Sequence, residues 1–476
     1  MNANEFYALR DSRTNACVAA RSYAARRVAI TVEPDAATTY AGQVAFALAV
    51  NLTARWCRHV RVGVAPVPVD PRLARAVGVH VERLDDFVVQ VARSADPFGS
   101  FHVGEASSAD ELELHVGAEG APGRAYCIRG SGWLALGGEA ARQGHQGKHA
   151  DDNPLGAALA ATVGCSWLFR RALGDQHALP GAVTLSLWNL GGAAAADDGP
   201  SVSGNLGRVM LVGCGAVGSA IAWLTSLTAL NARWTVVDRD VVDMTNLNRS
   251  PLFMVDEVGV DKCEVVASLL RRVGAEATSV SKWFHEALAA DQLLHERPDL
   301  VIPVANDRGV RRGIQHQVPP LQVYGTTSRD WQAFLGRHVP LVEDCLACRF
   351  PSVGLAEPPL ACSTVSVPTP EQIEDKVDAA LPFLSTAAGV LAVAELAKVV
   401  MGGGHPVNSN FACIDFRGRM EDFFVEHRGP SAGCICSDQR AIWRSLNGRT
   451  RHASLSMSDD AVHAAPRSRG ARKCGT

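Results

Sequence analysis

Between Val236 and Lys262 the chain reads VVDRDVVDMTNLNRSPLFMVDEVGVDK, beginning eighteen residues after the last glycine of a Gly213-Cys-Gly215-Ala-Val-Gly218 turn. Gly213 permits a tight exit from a strand, Gly215 lets backbone N–H groups approach phosphate, and Gly218 allows close helix packing. Asp238, ending the next strand, is placed to bond ribose hydroxyls, so turn and aspartate together suit NAD as readily as ATP. Asp240, Asn246, Arg249 and Lys262 narrow the choice. Carboxylates, an amide and two cations lie where ribose and phosphates would sit, an arrangement for work on a phosphate rather than for hydride transfer. Only six of the 46 basic residues are lysines, so a lysine inside the motif is a selective feature.

Two cysteine pairs form the next constellation, Cys345-Leu-Ala-Cys348 and, far downstream, Cys434-Ile-Cys436. Four thiolates in two close pairs suit a tetrahedral zinc that staples distant loops, and such a site is structural when every position is protein sulfur. An isolated CxxC could instead be a redox pair. Cys362 lies in the proline-rich stretch GLAEPPLACSTVSVPTPEQ, fourteen residues after Cys348. By itself it reads as an ordinary loop cysteine.

The segment around Asp238 resembles the ThiF/MoeB and ubiquitin-activating-enzyme family, which adenylates the C-terminal glycine of small β-grasp proteins. The signature D-x-D-x-V-x-x-x-N-L-x-R stands as Asp238-Arg-Asp240-Val-Val-Asp-Met-Thr-Asn246-Leu-Asn-Arg249, and a G-x-x-K setting as Gly259-Val-Asp-Lys262. The strand-ending aspartate of the family has its counterpart at Asp307 in DLVIPVANDRGVRRGI. Ser250 departs from the glutamine many members carry. The likeness spans about 208–436. It implies that Arg249 and Lys262 bind the triphosphate, Asp238 the ribose, and Asp307 a Mg²⁺ ion, with Asn246 and Asp240 completing the phosphate and metal surroundings. It also implies a zinc site at the cysteine pairs, although CxC stands where CxxC is commoner, and a thioester-forming thiol on the crossover loop (351–380), which makes Cys362 the acceptor. Among other thiols, Cys413 reads as core, Cys474 lies in the tail, and Cys214 and Cys263 flank the nucleotide motifs.

These residues need elements to hold them. Arg27–Val32 reads as a strand, Ala41–Arg55 as a helix and His59–Val64 as a second strand, half of a Rossmann unit whose turn lacks GxGxxG. Asn153–Leu173 reads as a helix, Ala182–Leu190 as a strand and 191–205 as a Gly/Pro/Ser-rich linker. The second half opens with the strand Arg208–Val212, the glycine turn, a helix to about Leu230 and the strand Ala232–Asp238. Leu381–Val400 reads as a buried interface helix. The expected architecture is therefore α/β. A degenerate Rossmann-like domain (1–190) precedes a ThiF-type adenylation domain (206–440), and 441–476 follows as a disordered tail. By resemblance the first half is an inactive partner fused to the active one. Such a partner often lends an arginine to the ATP site, with Arg21, Arg26 and Arg27 as candidates. His316, His405 and His427 have no ligand spacing.

With 476 residues, 47% hydrophobic, 20% charged and a net charge of −3, the chain has material for two or three cores and no basic bias toward nucleic acid. No uninterrupted apolar run has membrane-span length, the start MNANEFYALRDSR lacks a signal-peptide core, and thirteen cysteines point to metal and catalytic thiols in a reducing cytoplasm. Three function classes follow. The first is an ATP-dependent activating enzyme, resembling those of bacterial ubiquitin-like conjugation operons, some of them antiviral. It would capture a ubiquitin-like protein on Cys362 and pass it to a conjugating enzyme, working as a monomer or a homodimer. The second is a sulfur-carrier adenylyltransferase, and the third a non-catalytic nucleotide-binding scaffold.

Overall fold

The β-branched and aliphatic runs of the chain become the central strands of two sheets. The computed structural model describes residues 1–457 apart from 19–21, 105–110, 120–124, 144–152, 176–180, 195, 198, 290–292, 294–296, 350–380, 402–405, 419, 421, 432–433, 435 and 437–438. The first sheet contains β1 (Arg27–Val32), β2 (His59–Gly63), β3 (Ser100–Val103), β4 (Leu112–Val116), β5 (Ala125–Ser131), β6 (Leu134–Gly138) and β7 (Ala182–Ser186). Its order is β3-β2-β1-β4-β5-β6-β7, parallel from β3 to β5 and antiparallel beyond.

The second sheet contains β8 (Ser203–Val212), β9 (Ala229–Val237), β10 (Glu276–Val280), β11 (Leu300–Pro303), β12 (Leu321–Thr327), β13 (Gln332–His338), β14 (Phe411–Asp415) and β15 (Phe424–Glu426). Its order is β10-β9-β8-β11-β12-β13-β14-β15, again parallel up to β12 and antiparallel after it. The two sheets therefore repeat one plan. Each starts with a central strand, adds two on one side, then crosses to the other. The reversal points, between β1 and β4 and between β8 and β11, are where doubly wound folds open a ligand crevice off the carboxyl ends of the strands.

Helices with no polar face fill the space between the sheets, as expected of helices buried all round. Tyr40–Ala54 is buried at every position except Gly42, and Leu155–Ala172 at all but two. Pro382–Met401 packs on Leu155–Ala172 and on Ala216–Ser226, joining the halves. This helix is long and apolar enough to cross a membrane, but 89% of its apolar window is buried in the protein. Rings from both halves meet here: Phe169 lies 5.6 Å from Trp331 and 5.9 Å from Phe383, centroid to centroid.

Several boundaries move. β8 begins at Ser203, inside the stretch read as a linker, because its first residues pair with Ala229–Asn231 at the start of β9. β7 ends at Ser186, short of Leu190, whose φ of 53° turns the chain. The segment read as a tail from 441 continues as a helix, Arg440–Asn447, anchored by buried Trp443, whose indole donates to the Pro319 carbonyl at 3.0 Å.

Candidate functional site

β8 delivers the chain into the glycine turn at its carboxyl end. Gly213 has φ 99°, and a Cβ there would lie 2.5 Å from the backbone nitrogen of Ala305, just past β11. A Cβ on Gly218 would lie 2.0 Å from the Gly213 carbonyl oxygen, so this glycine lets the helix Ala216–Ser226 settle against the strand end. Gly215 differs from both: it caps that helix, and a Cβ there would meet nothing within 4 Å. The open space therefore lies in front of a helix amino terminus, where free N–H groups and the helix dipole favour an anion.

Asp238 follows β9 and clamps this turn to the next loop. One carboxylate oxygen accepts from the Cys214 N–H and the other from the Asp240 N–H at 2.8 Å. Each oxygen has a second lone pair, which suits ribose hydroxyls. Burial raises the Asp238 pKa above its ordinary value, while nearby Lys262 pulls it back.

The loop from 240 to 262 is zipped at its base. Val242 N–H donates to Val260 at 2.8 Å, Gly259 N–H returns to Val242 at 2.8 Å, and Lys262 N–H donates to the Asp240 carbonyl at 2.9 Å. Gly259 turns with φ 92°, which accounts for the glycine of the G-x-x-K setting. The zipping brings residues twenty-two apart in sequence together, and the Lys262 Nζ sits 3.1 Å from Asp240 Oδ2. Asp240 thus reaches the site as the partner of Lys262, whose side chain is only 4% exposed.

Asn246 and Arg249 lie along the same loop. Asn246 is buried, and its amide oxygen accepts from Asp243 N–H at 2.9 Å. Arg249 is buried too, its guanidinium donating to the Thr245 carbonyl and to Asn248 Oδ1. Asp307 stands two residues beyond Ala305 and caps the helix Arg308–His316, accepting from Val310 N–H at 2.8 Å. The structure thus joins the glycine turn, through Cys214, to Asp238, Asp240 and Lys262, and sets Asn246, Arg249 and Asp307 on the flanking segments. For ATP the fit rests on the open approach at Gly215. Asp307 offers the hard oxygen donor that Mg²⁺ takes alongside phosphates.

The corresponding crevice of the first sheet is closed. Glu33, directly after β1, accepts from Ala118 N–H at 2.7 Å, and its Oε2 lies 2.2 Å from where a Cβ on Gly117 would be. A carboxylate thus stands between the carboxyl ends of β1 and β4, where it would repel phosphate. Two of the three candidate arginines are placed in the structure. Arg26 donates to Ala172 within the first half, and Arg27 begins β1 opposite His59, at the end away from the crevice. Arg21 lies outside the described residues, as does His405. Among the described residues His316 lies 3.4 Å from Arg312 Nε, and His427 is exposed on the segment after β15.

The amino-terminal helices, which carried no site expectation, are the ones that touch the nucleotide loop. Thr14 Oγ1 accepts from Asn248 Nδ2 at 2.9 Å, and Arg55 enters the loop from the end of Tyr40–Ala54. A cation ending an apolar helix was the one available signal, and it reads as a solvent-facing cap.

The cysteine pairs converge. Cys345 Sγ lies 3.7 Å from Cys348 Sγ and 3.7 Å from Cys434 Sγ, and all three sulfurs lie within 4.8 Å of one another. A zinc–sulfur bond of about 2.3 Å gives a tetrahedral edge of about 3.8 Å, whereas a disulfide needs about 2.05 Å. The fourth thiol, Cys436, interacts with Cys345 but also accepts from Gln315 Nε2 at 2.7 Å and lies 3.6 Å from His338 Nε2. The donor set fits a zinc with an outer shell already in place. Directly before Cys345, Glu343 and Asp344 tie the knuckle to the core. Arg337 pairs with Glu343 and, at 2.6 Å, with Glu395, which lies 3.3 Å from Lys398; all four are buried. Cys413 is buried in β14, as expected. Burial pushes the Cys263 thiol to about 11 and raises the Cys214 thiol well above its ordinary value, so neither is a nucleophile at neutral pH. Cys362 and the crossover loop 351–380 lie outside the described residues, as does Cys474.

The family model described as ThiF family matches residues 203–435. Residues 203–435 are a ThiF family domain. A second model, the BilD N-terminal domain, matches residues 27–187, so the two matches divide the chain as the two sheets do. A curated relative, the uncharacterized protein y4jF of Sinorhizobium fredii, is 26% identical over 377 residues, 76% of this chain and 67% of its own. Solved structures similar to the chain include Escherichia coli MccB with MccA-N7isoASN (20% identity, TM-score 0.37, covering 48% of this chain and 66% of that one). E. coli MccB with ATP is another, at 19% identity and TM-score 0.36, covering 48% of this chain and 67% of that one. This chain thus spans less than two thirds of the first of these MccB chains. Cys345, Cys348 and Cys434, the glycine turn and the Lys262 loop fall inside the ThiF domain, and Cys436 lies one residue beyond the matched range.

Proposed function

We propose that this chain is an ATP-dependent adenylyltransferase that activates the C-terminal glycine of a ubiquitin-like protein and captures it on Cys362 as a thioester for a conjugating enzyme. The observation that carries the adenylation step is the Lys262–Asp240 pair beside the open Gly215 turn. An anion site and a buried, counter-charged lysine stand at the reversal point of a ThiF domain.

A C-terminal carboxylate is already ionised at neutral pH, so it attacks the α-phosphate without a general base. The new bond is carboxyl oxygen to α-phosphorus, and the bond that breaks releases pyrophosphate. The protein's task is positioning and charge neutralisation. The turn N–H groups and the helix terminus hold phosphate, Asp238 the ribose, and Lys262, exchanging Asp240 for the triphosphate, faces the departing charge with Arg249. Asp307 is the residue that would hold Mg²⁺, which neutralises phosphate oxygens when bound. In the second step the Cys362 thiolate attacks the acyl carbon, an acyl–sulfur bond forms, and AMP leaves. Cys345, Cys348, Cys434 and Cys436 would hold a zinc whose role, with protein sulfur at every position, is structural.

A thiol-labile adduct with a glycine-ended β-grasp protein, formed with ATP and lost in Cys362→Ala, is the expected result. Pyrophosphate exchange that persists with no adduct under any condition removes the thioester step and leaves sulfur-carrier adenylation.

A further inference from the structure

We infer that Arg55 is a positioning residue for the triphosphate site: the first half of the chain uses it to set the loop that carries Arg249. The inference rests on the adenylation reading above, and it supplies a role for a half whose own crevice is plugged by Glu33.

Arg55 belongs to the first half, at the carboxyl end of the helix Tyr40–Ala54, yet three of its hydrogen bonds cross to carbonyls of the second. Its Nη1 donates to Leu247 at 2.7 Å and to Phe253 at 3.1 Å, and its Nη2 to Pro251 at 2.9 Å. Its Nε donates to Asn51 Oδ1 at 2.7 Å, and the Asn51 amide in turn donates to Pro251 at 2.9 Å. The three carbonyls bracket Arg249 on both sides. A second strap closes on the same residue: Thr14 accepts from Asn248, and Asn248 Oδ1 accepts from Arg249 Nη1 at 3.2 Å.

Arg55 is fully buried, and no carboxylate pairs with it among the described residues. Burial lowers its pKa to about 9, which leaves it charged at neutral pH. Burying a cation against carbonyls alone is a poor source of stability, since desolvation opposes the gain. What such a fork does supply is geometry, because five donors in one plane fix three carbonyls at once. The geometry fixed is that of 247–253, the segment from which Arg249 extends.

The test compares nucleotide affinities by calorimetry on the full chain, using ATP and AMP with wild type, Arg55→Met, Arg55→Lys, Asn51→Ala and Arg249→Ala. Arg55→Met is expected to weaken ATP about tenfold or more while AMP affinity stays within about twofold. In the Arg249→Ala background the same change is expected to add nothing. Arg55→Lys is expected to fall between, since one ammonium cannot span three carbonyls. Equal loss of ATP and AMP affinity, or additive loss with Arg249→Ala, would make Arg55 merely structural and overturn the inference. If Arg55→Met does not fold, Asn51→Ala carries the same comparison. Failure of the wild type to bind ATP would instead overturn the adenylation reading.

Discussion

Lys262 Nζ lies 3.1 Å from Asp240 Oδ2, and the two residues also share a backbone hydrogen bond of 2.9 Å at the base of their loop. The carboxylate therefore holds a nearly buried lysine in place before nucleotide arrives. Asp240→Asn removes that counter-charge and leaves the cation to be neutralised by ATP. The variant is expected to melt lower than wild type without ligand and to gain more in Tm from saturating ATP, since a triphosphate then relieves an unpaired buried charge. An equal ATP-induced gain in both proteins would rule out the exchange of partners at Lys262.

The glycines separate folding from binding. Gly218→Ala places a Cβ 2.0 Å from the Gly213 carbonyl and is expected to cost about 1–3 kcal/mol or more of stability. Gly215→Ala meets nothing within 4 Å in the protein and is expected to leave Tm nearly unchanged while weakening ATP binding, because the new methyl stands where phosphate approaches. Thermal melts and ATP titrations of the two variants should therefore give opposite orders.

Acidification addresses Asp238. Burial raises its pKa in the folded chain, with Lys262 opposing. Its contribution to stability is thus greatest below the unfolded pKa of about 3.9 and declines as pH rises through the higher folded value. Asp238→Asn keeps one acceptor oxygen for two backbone N–H donors, so it is expected to lower Tm near pH 7 and to weaken ATP binding. In wild type, ATP affinity should begin to fall on acidification above the range of an exposed aspartate. An ATP affinity that stays unchanged on acidification down to the range of an exposed aspartate would refute the assignment.

Metal content tests the cysteine knuckle. One zinc per chain is expected by elemental analysis, with release on acidification because the ligands must be thiolates. Cys434→Ser is expected to lose the metal and lower Tm. Protein purified without chelator that carries no zinc would leave the cluster, with sulfurs 3.7 Å apart, without its proposed occupant.

The ThiF half was legible because its chemistry is written in local spacing. The glycine turn, Asp238, Asp240, Arg249 and Lys262 lie within fifty residues, and β-hydrogen bonds between Val242 and Val260 close the rest. The first half yielded its early strands and helices, since Arg27–Val32 and Tyr40–Ala54 are apolar runs whose lengths suit a buried strand and a buried helix. What stayed hidden depends on contacts across about two hundred residues. Arg55 bonds Pro251 at a separation of 196, and nothing local marks an arginine whose acceptors are backbone carbonyls. The same holds for Glu33, which blocks a crevice that exists only once β1 and β4 pair. Trp443 was missed because a single aromatic anchor, rather than a period, fixes its helix.

The adenylation claim is tested most directly by ATP–pyrophosphate exchange in the presence of ubiquitin-like proteins ending in glycine. Exchange that requires such a partner, disappears when its terminal glycine is removed, and falls about a hundredfold or more in Lys262→Ala is the predicted result. ATP binding with no exchange for any carboxyl-terminal partner would contradict the account and leave a nucleotide-binding scaffold.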